Sequence, residues 1–161
     1  MPRRRPSATP PGDRSGARGS SEEDVERLLA DRLKRQQRFL SGQRQYLWAL
    51  IDEGVLDRFI AHHDIMRGQL AHLLELSELG TVGLRVAPRG RFHAGLDGSF
   101  ELMQFGDGSP PMAYTEAVFG WRLVSDVAEV ESFALRYDRL GNLALPEDQT
   151  RDLVRKLLET I

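Results

Sequence analysis

The chain has 161 residues, 40% hydrophobic and 29% charged, without cysteine, a composition that suits one globular domain and excludes disulfides, thiolate nucleophiles and zinc–thiolate sites. No apolar run approaches the roughly 20 residues a bilayer span needs, and the N-terminal residues lack the apolar core of a secretory signal, so a cytoplasmic protein is expected. The net charge of −2 divides into +4 over residues 1–20, where five arginines face Asp13 alone, and −6 over the rest, which disfavours nucleic-acid binding by the folded part because phosphates are held by cations that displace counterions.

Residues 1–19 contain four of the eight prolines, three glycines and no large apolar residue after Met1. They cannot bury enough surface to offset chain entropy, and a disordered basic tail is expected there, with a single domain over 20–161. Ser20 with Glu23 reads as a capping box, and Val25, Leu28, Leu29, Leu33 and Leu40 follow helical spacing, which predicts an amphipathic helix to about Leu40.

After Ser41-Gly42, the segment Gln45–Ile51 is apolar on both alternating faces and reads as an interior strand. Asp64 is the expected cap of a helix with the stripe Met66, Leu70, Leu73 and Leu74, closed by Gly80. Val82, Leu84 and Val86 alternate with Gly83 and Arg85, the period of a half-buried strand. A loop follows from Pro88 to Gly98.

Phe100–Phe105 and Met112–Phe119 read as a hairpin around the Gly/Pro-rich stretch 106–111, with a short strand over Trp121–Val124. Asp126 with Glu129 marks the next helix, which Gly141 is expected to end. Pro146 opens a last helix with the stripe Leu153, Val154, Leu157, Leu158 and Ile161. Regular strand–helix alternation is lacking, so the expected fold class is α+β: a mainly antiparallel sheet of four to five strands packed with about four helices.

Motifs for chemistry are scarce. His62-His63-Asp64 places neighbouring histidines in different directions, and neither HExxH nor one-turn ligand spacing occurs; solvated capping histidines are expected, and no metal. GxSxG, GxxxxGK[ST] and a full dinucleotide fingerprint are absent, so no cofactor and no enzymatic reaction are expected. Asp52, Glu53 and Glu116 are the carboxylates with any promise for acid–base work. Alternation puts Tyr114 and Glu116 on one strand face, with Glu116 either in water or a partnered buried acid. A ligand pocket could draw on Trp48, Arg85, Tyr114 and Glu116, with Gln69 near it, although core packing explains the aromatic residues equally well.

Taken together, ADRLKRQQRFL, LIDEGVL, IMRGQLAHLLEL, VGLRVAP, FHAGLDGSFELMQF, AYTEAVF and ALRYDRLGNLAL resemble, in order and spacing, the C-terminal effector domain of Xre-family, antitoxin-like transcriptional regulators. The resemblance is to the WhiJ-like group of high-GC Gram-positive bacteria and runs from about Glu23 to Ile161. An excess of arginine over lysine, 20 to 2, agrees with the codon bias of such genomes.

The resemblance implies a domain without an established reaction that follows a helix-turn-helix head and works beside a small protein encoded nearby. Here the head and the domain's opening segment are replaced by the arginine–proline tail, and Leu145 stands where a capping serine usually precedes Pro146. The expectation is a headless effector module that acts on a protein partner, either a full-length regulator or the small neighbouring protein, with a homodimer also open. Specific DNA binding is not expected without the head. Leu29, Leu33, Arg35, Gln36 and Leu40 on the first helix form the expected partner surface, because the missing opening segment would leave them uncovered. A small-molecule sensor and a truncated relic are the alternatives.

Overall fold

A computed structural model describes residues 21–41, 45–56, 62–90, 92–117 and 120–161. The expected tail over 1–19, the Ser20 cap, Gly42 and Phe119 lie outside the described residues. The chain divides into two compact units, the first ending at Gln43 and the second running Arg44–Ile161.

The first unit contains helix α1, Glu22–Ser41. Its N-terminal capping falls one residue later than expected: the Ser21 hydroxyl accepts the Asp24 N–H at 3.2 Å and donates to the Asp24 carboxylate at 3.0 Å. Asp24 also pairs with Arg27 one turn on, at 2.6 Å. Three acidic residues in the first turn complement the helix dipole. No residue of α1 is buried.

In the second unit, β1 (Leu47–Asp52) leads through the short helix α2 (Glu53–Leu56) to α3 (His63–Ser77) and then β2 (Val82–Ala87). β1 and β2 pair in parallel, with Trp48 opposite Gly83, Leu50 opposite Arg85 and Ile51 opposite Val86. A 3₁₀ turn at Ala94–Asp97 precedes β3 (Phe100–Met103), β4 (Met112–Ala117) and β5 (Gly120–Val124), which form an antiparallel sheet in that order. Helices α4 (Val127–Leu143) and α5 (Glu147–Thr160) close the chain.

The class is α+β, but the single, mainly antiparallel sheet of four to five strands is replaced by two small sheets, two parallel strands and three antiparallel ones. The parallel pair arises because β1 and β2 are joined by helices, and such a crossover returns the chain in the same direction. β1 is also no interior strand. Among the described residues it has one strand neighbour, and Tyr46, Leu47 and Trp48 are exposed.

Two cores result. Leu56, Met66, Leu70, Val86 and Val154 are buried together, with Ile51, Leu73, Leu74, Leu153, Leu157, Leu158 and Ile161 packed around them, so α3 and α5 cover one face of the parallel pair. Ala113, Val124 and Val130 form the second core with Leu102 and Phe133, where α4 covers the antiparallel sheet. Phe100 and Phe133 meet in tilted geometry with ring centroids 5.3 Å apart.

β2 is buried on both faces rather than half-buried. Its free edge is met by the α4–α5 connection: the Leu145 N–H donates to the Val86 carbonyl at 2.8 Å, and the Val86 N–H donates to the Thr150 hydroxyl at 3.1 Å. Arg85 then replaces the glycine stop expected at Gly141. Its Nε donates to the Leu145 carbonyl at 2.9 Å, and its Nη2 to the carbonyls of Gly141 and Ala144 at 2.8 and 2.7 Å. A cation that takes the last carbonyls removes the need for a left-handed residue, so α4 continues through Gly141 to Leu143. The other end of α4 is as expected: the Asp126 carboxylate accepts the Glu129 N–H at 3.1 Å. At α3 the N-cap is His62, without a side-chain cap, and Asp64 lies inside the first turn. Gly108, at φ 84°, turns the β3–β4 loop in a conformation that L side chains rarely adopt.

Thr150→Val keeps the volume of a fully buried side chain and strips the acceptor from Val86, and should cost about 1–3 kcal/mol. Arg85→Met leaves three carbonyls without their donor and should cost about 2–4 kcal/mol, of which Arg85→Lys recovers part. Urea denaturation midpoints measure both; losses below about 0.5 kcal/mol, the usual effect of a surface change, would contradict this account of the edge.

Candidate functional site

The face of the parallel pair opposite α3 and α5 carries a cleft of about 290 Å³, lined chiefly by Trp48, Leu50, Gly83, Arg85, Tyr137 and Glu147. Trp48 reaches its place because residue 83 has no side chain: a Cβ there would lie 2.6 Å from Trp48 Cδ1 and 2.9 Å from Glu147 Oε1. The Tyr137 hydroxyl donates to the Trp48 carbonyl at 3.2 Å, tying α4 to β1. Burial pushes the Tyr137 phenol above the ordinary tyrosine value; the Asp138 carboxylate acts in the same direction and the Arg85 guanidinium opposes it. The cleft therefore offers an indole wall, a neutral phenol and one carboxylate. Its guanidinium is turned to the end of α4, where Nε and Nη2 already serve three carbonyls.

A second cluster joins the end of β1 to the start of the 3₁₀ turn. His93 is buried, 6% exposed, and its Nε2 lies 3.0 Å from Asp52 Oδ2. The other carboxylate oxygen of Asp52 accepts the Gly54 N–H at 2.7 Å, and Glu53 accepts the Arg89 N–H at 2.8 Å. His93 Nδ1 is buried without a hydrogen-bond partner and faces Gly95, where a Cβ would lie 3.1 Å away. With Asp52 accepting, the Nε2–H tautomer follows from the network. Among the described residues no side chain hydrogen-bonds Nδ1, and the pair ties the end of β1 to the loop before the 3₁₀ turn.

His93 corrects the expectation of solvated histidines. Asp52 and Glu53 stood out in the sequence, but the partner of Asp52 is His93, 41 residues away, and that of Glu53 is Arg89; nothing in the sequence linked either pair. Tyr137 and Glu147 were also missed, because a tyrosine on a helical stripe and an acid in a first helical turn have sufficient structural explanations of their own.

The four residues expected to line a pocket divide between the two sheets. Trp48 and Arg85 line the cleft. Tyr114 and Glu116 lie on β4, on the face opposite α4, where the Tyr114 hydroxyl donates to Glu116 Oε1 at 2.8 Å and the ring stacks on Trp121 at 6.2 Å. Glu116 is exposed, the solvated alternative, and Gln69 is exposed on α3. His62 and His63 are exposed at the start of α3, and His72 is 3.6 Å from Glu75. No group of three or more side chains suited to holding a metal ion occurs among the described residues.

The expected partner surface lies on α1. Leu29, Leu33 and Leu40 are 55%, 49% and 48% exposed, and Arg35 and Gln36 are exposed beside them. A soluble helix ordinarily buries such a stripe.

The class defined by these features is an α+β domain that pairs a helix-covered parallel unit with a small antiparallel sheet. The chain belongs to the family described as domain of unknown function DUF5753, which matches residues 13–156. No curated protein and no solved structure matches it. No helix among the described residues is long and apolar enough to cross a membrane.

Because the neutral phenol is favoured in the folded state, the stabilisation it brings is complete below the unfolded tyrosine value of about 10 and is lost as pH rises through the higher folded value. Tyr137→Phe should remove a phenolate absorbance step centred above about 10 and weaken the alkaline fall in stability. A wild-type-minus-variant titration centred at or below that value would contradict the placement of Tyr137. Asp52→Ala leaves both ring nitrogens of the buried His93 unmet and should destabilise the chain by about 2–4 kcal/mol in thermal or urea unfolding; a loss within about 0.5 kcal/mol would count against the pair.

Proposed function

We propose that this domain is the effector part of an Xre-family, antitoxin-like transcriptional regulator of the WhiJ-like group, and that it works in the cytoplasm by binding a protein rather than by catalysing a reaction. The observation that carries the reading is α1: a 20-residue helix with no buried residue, whose Val25, Leu28, Leu29, Leu33 and Leu40 are all about half exposed. Covering such leucines yields about 1.5–3 kcal/mol each towards the costs of association. The ordered run of motif segments from Glu23 to Ile161 supports the placement among these regulators. In that setting the partner is a full-length regulator or a small protein encoded beside it.

A small-molecule sensor is the second reading, favoured by the cleft beside Trp48. Its volume is at the lower end for ligand pockets, and three hydrogen bonds from Arg85 to α4 carbonyls occupy the group best suited to an anionic ligand. The protein-contact reading accounts for more of the exposed apolar surface.

Co-purification with each of the two candidate partners tests the proposal. The double substitution Leu29→Glu with Leu33→Glu should weaken capture by at least roughly tenfold, with the helical content of the chain retained by circular dichroism. Capture undiminished by the substitution, or no capture of either partner by the unsubstituted chain, would overturn it.

A further inference from the structure

The charges of α1 are segregated in a way that the helix itself does not require. Residues Glu22–Asp31 hold five carboxylates and one cation, Arg27; residues Arg32–Ser41 hold the cations Arg32, Lys34, Arg35 and Arg38 and no carboxylate. The helix dipole favours acids at the N-terminus and cations at the C-terminus, but only within the first and last turns. Here the sign changes at mid-helix, between Asp31 and Arg32. Alongside runs the apolar stripe Val25, Leu29, Leu33 and Leu40, each between 48% and 55% exposed. A partner for this surface needs a matching apolar seam and the reverse charge polarity. A second copy of α1 running antiparallel supplies both, since each acidic half then lies along a basic half. A parallel copy would set like charges together.

We infer that two copies of this chain associate through α1, side by side and antiparallel, about a two-fold axis near Leu33. Val25 of one helix then meets Leu40 of the other, and Leu33 lies beside its symmetry mate, the self-complementary contact that a two-fold dimer requires. The inference rests on the reading of α1 as a protein-contact surface. A helix of this length spans about 30 Å, and two of them bury on the order of 1,000 Å², the lower edge for specific interfaces. The dimer is therefore concentration-dependent, and salt weakens it by screening the exposed charges.

The absence of native cysteine permits a direct test of existence and direction. Light scattering on the full chain should show a dimer forming by about 100 μM at low salt, a concentration that micromolar-range association reaches, and dissociating as salt is raised. In a mixture of Val25→Cys and Leu40→Cys chains under mild oxidation, the 25-to-40 disulfide should form about tenfold faster than either matched disulfide, as a preference of about 1.4 kcal/mol produces. Arg32→Glu with Arg35→Glu leaves the stripe intact and should weaken the dimer by roughly tenfold as well, with helical content unchanged. A monomer throughout this range, matched disulfides that form as fast as the mixed one, or a dimer indifferent to the charge reversal would each overturn the inference. A chain that stays monomeric yet captures a different protein through α1 overturns the inference and leaves the proposed function standing. A dimer from a chain that captures neither candidate partner supports the inference and removes the proposed function.

Discussion

Among the described residues β2 has one strand neighbour, and the buried polar backbone groups on its other edge must be met inside the protein. The α4–α5 connection supplies the partners: Leu145 donates to Val86, Thr150 accepts from Val86, and Arg85 reaches out of the strand to hold the carbonyls of Gly141, Ala144 and Leu145. An unmet buried group costs about 1–3 kcal/mol, comparable to a large share of a small domain's net stability. This one seam ties the parallel pair to both C-terminal helices. Val86 and Val154, essentially without exposure, then bring α3 and α5 onto one face.

From the same constraint follows the shape of the opposite face. Arg85 draws the end of α4 over β2, Tyr137 on α4 then reaches the Trp48 carbonyl, and Gly83 leaves room for the indole. The cleft forms beside that clamp, and its guanidinium donates to three backbone carbonyls. α1 differs in kind: it has local capping and a suitable dipole, but no buried side chain. An amphipathic helix in that state leaves its apolar stripe exposed to water.

Much of the local structure was legible in the sequence, because it depends on neighbours along the chain. The Asp126 cap, the stripes of α3 and α5 and the β3–β4 hairpin all follow from spacing, whereas alternation left Glu116 between water and a partnered buried acid, and its exposure decides for water. The pairing of the distant strands β1 and β2 was not legible. β1 and β2 are separated by two helices, and the alternation in VGLRVA describes one strand without saying what covers Gly83 and Arg85. Gly141 reads as a helix stop until Arg85, 56 residues away, is known to take its carbonyl. The Asp52–His93 contact fails to show for the same reason: each residue has an innocuous local explanation, and chain proximity carries no trace of the other. Of the candidate pocket, Trp48 and Arg85 meet in the cleft, while Tyr114 and Glu116 belong to a sheet whose separation from the first was invisible to pattern.

On the proposed reading α1 is the surface that meets a partner, while the unit built on β2 holds together without it. Hydrogen–deuterium exchange resolved along the chain, on dilute and on partner-saturated protein, tests it most directly. Amides of β2, α3 and α5 should be protected in both states, whereas those of α1 should exchange rapidly when dilute and become protected on association. Slow exchange in α1 of the dilute monomer, matching that of β2, or an α1 that stays unprotected when partner is bound, would contradict the account.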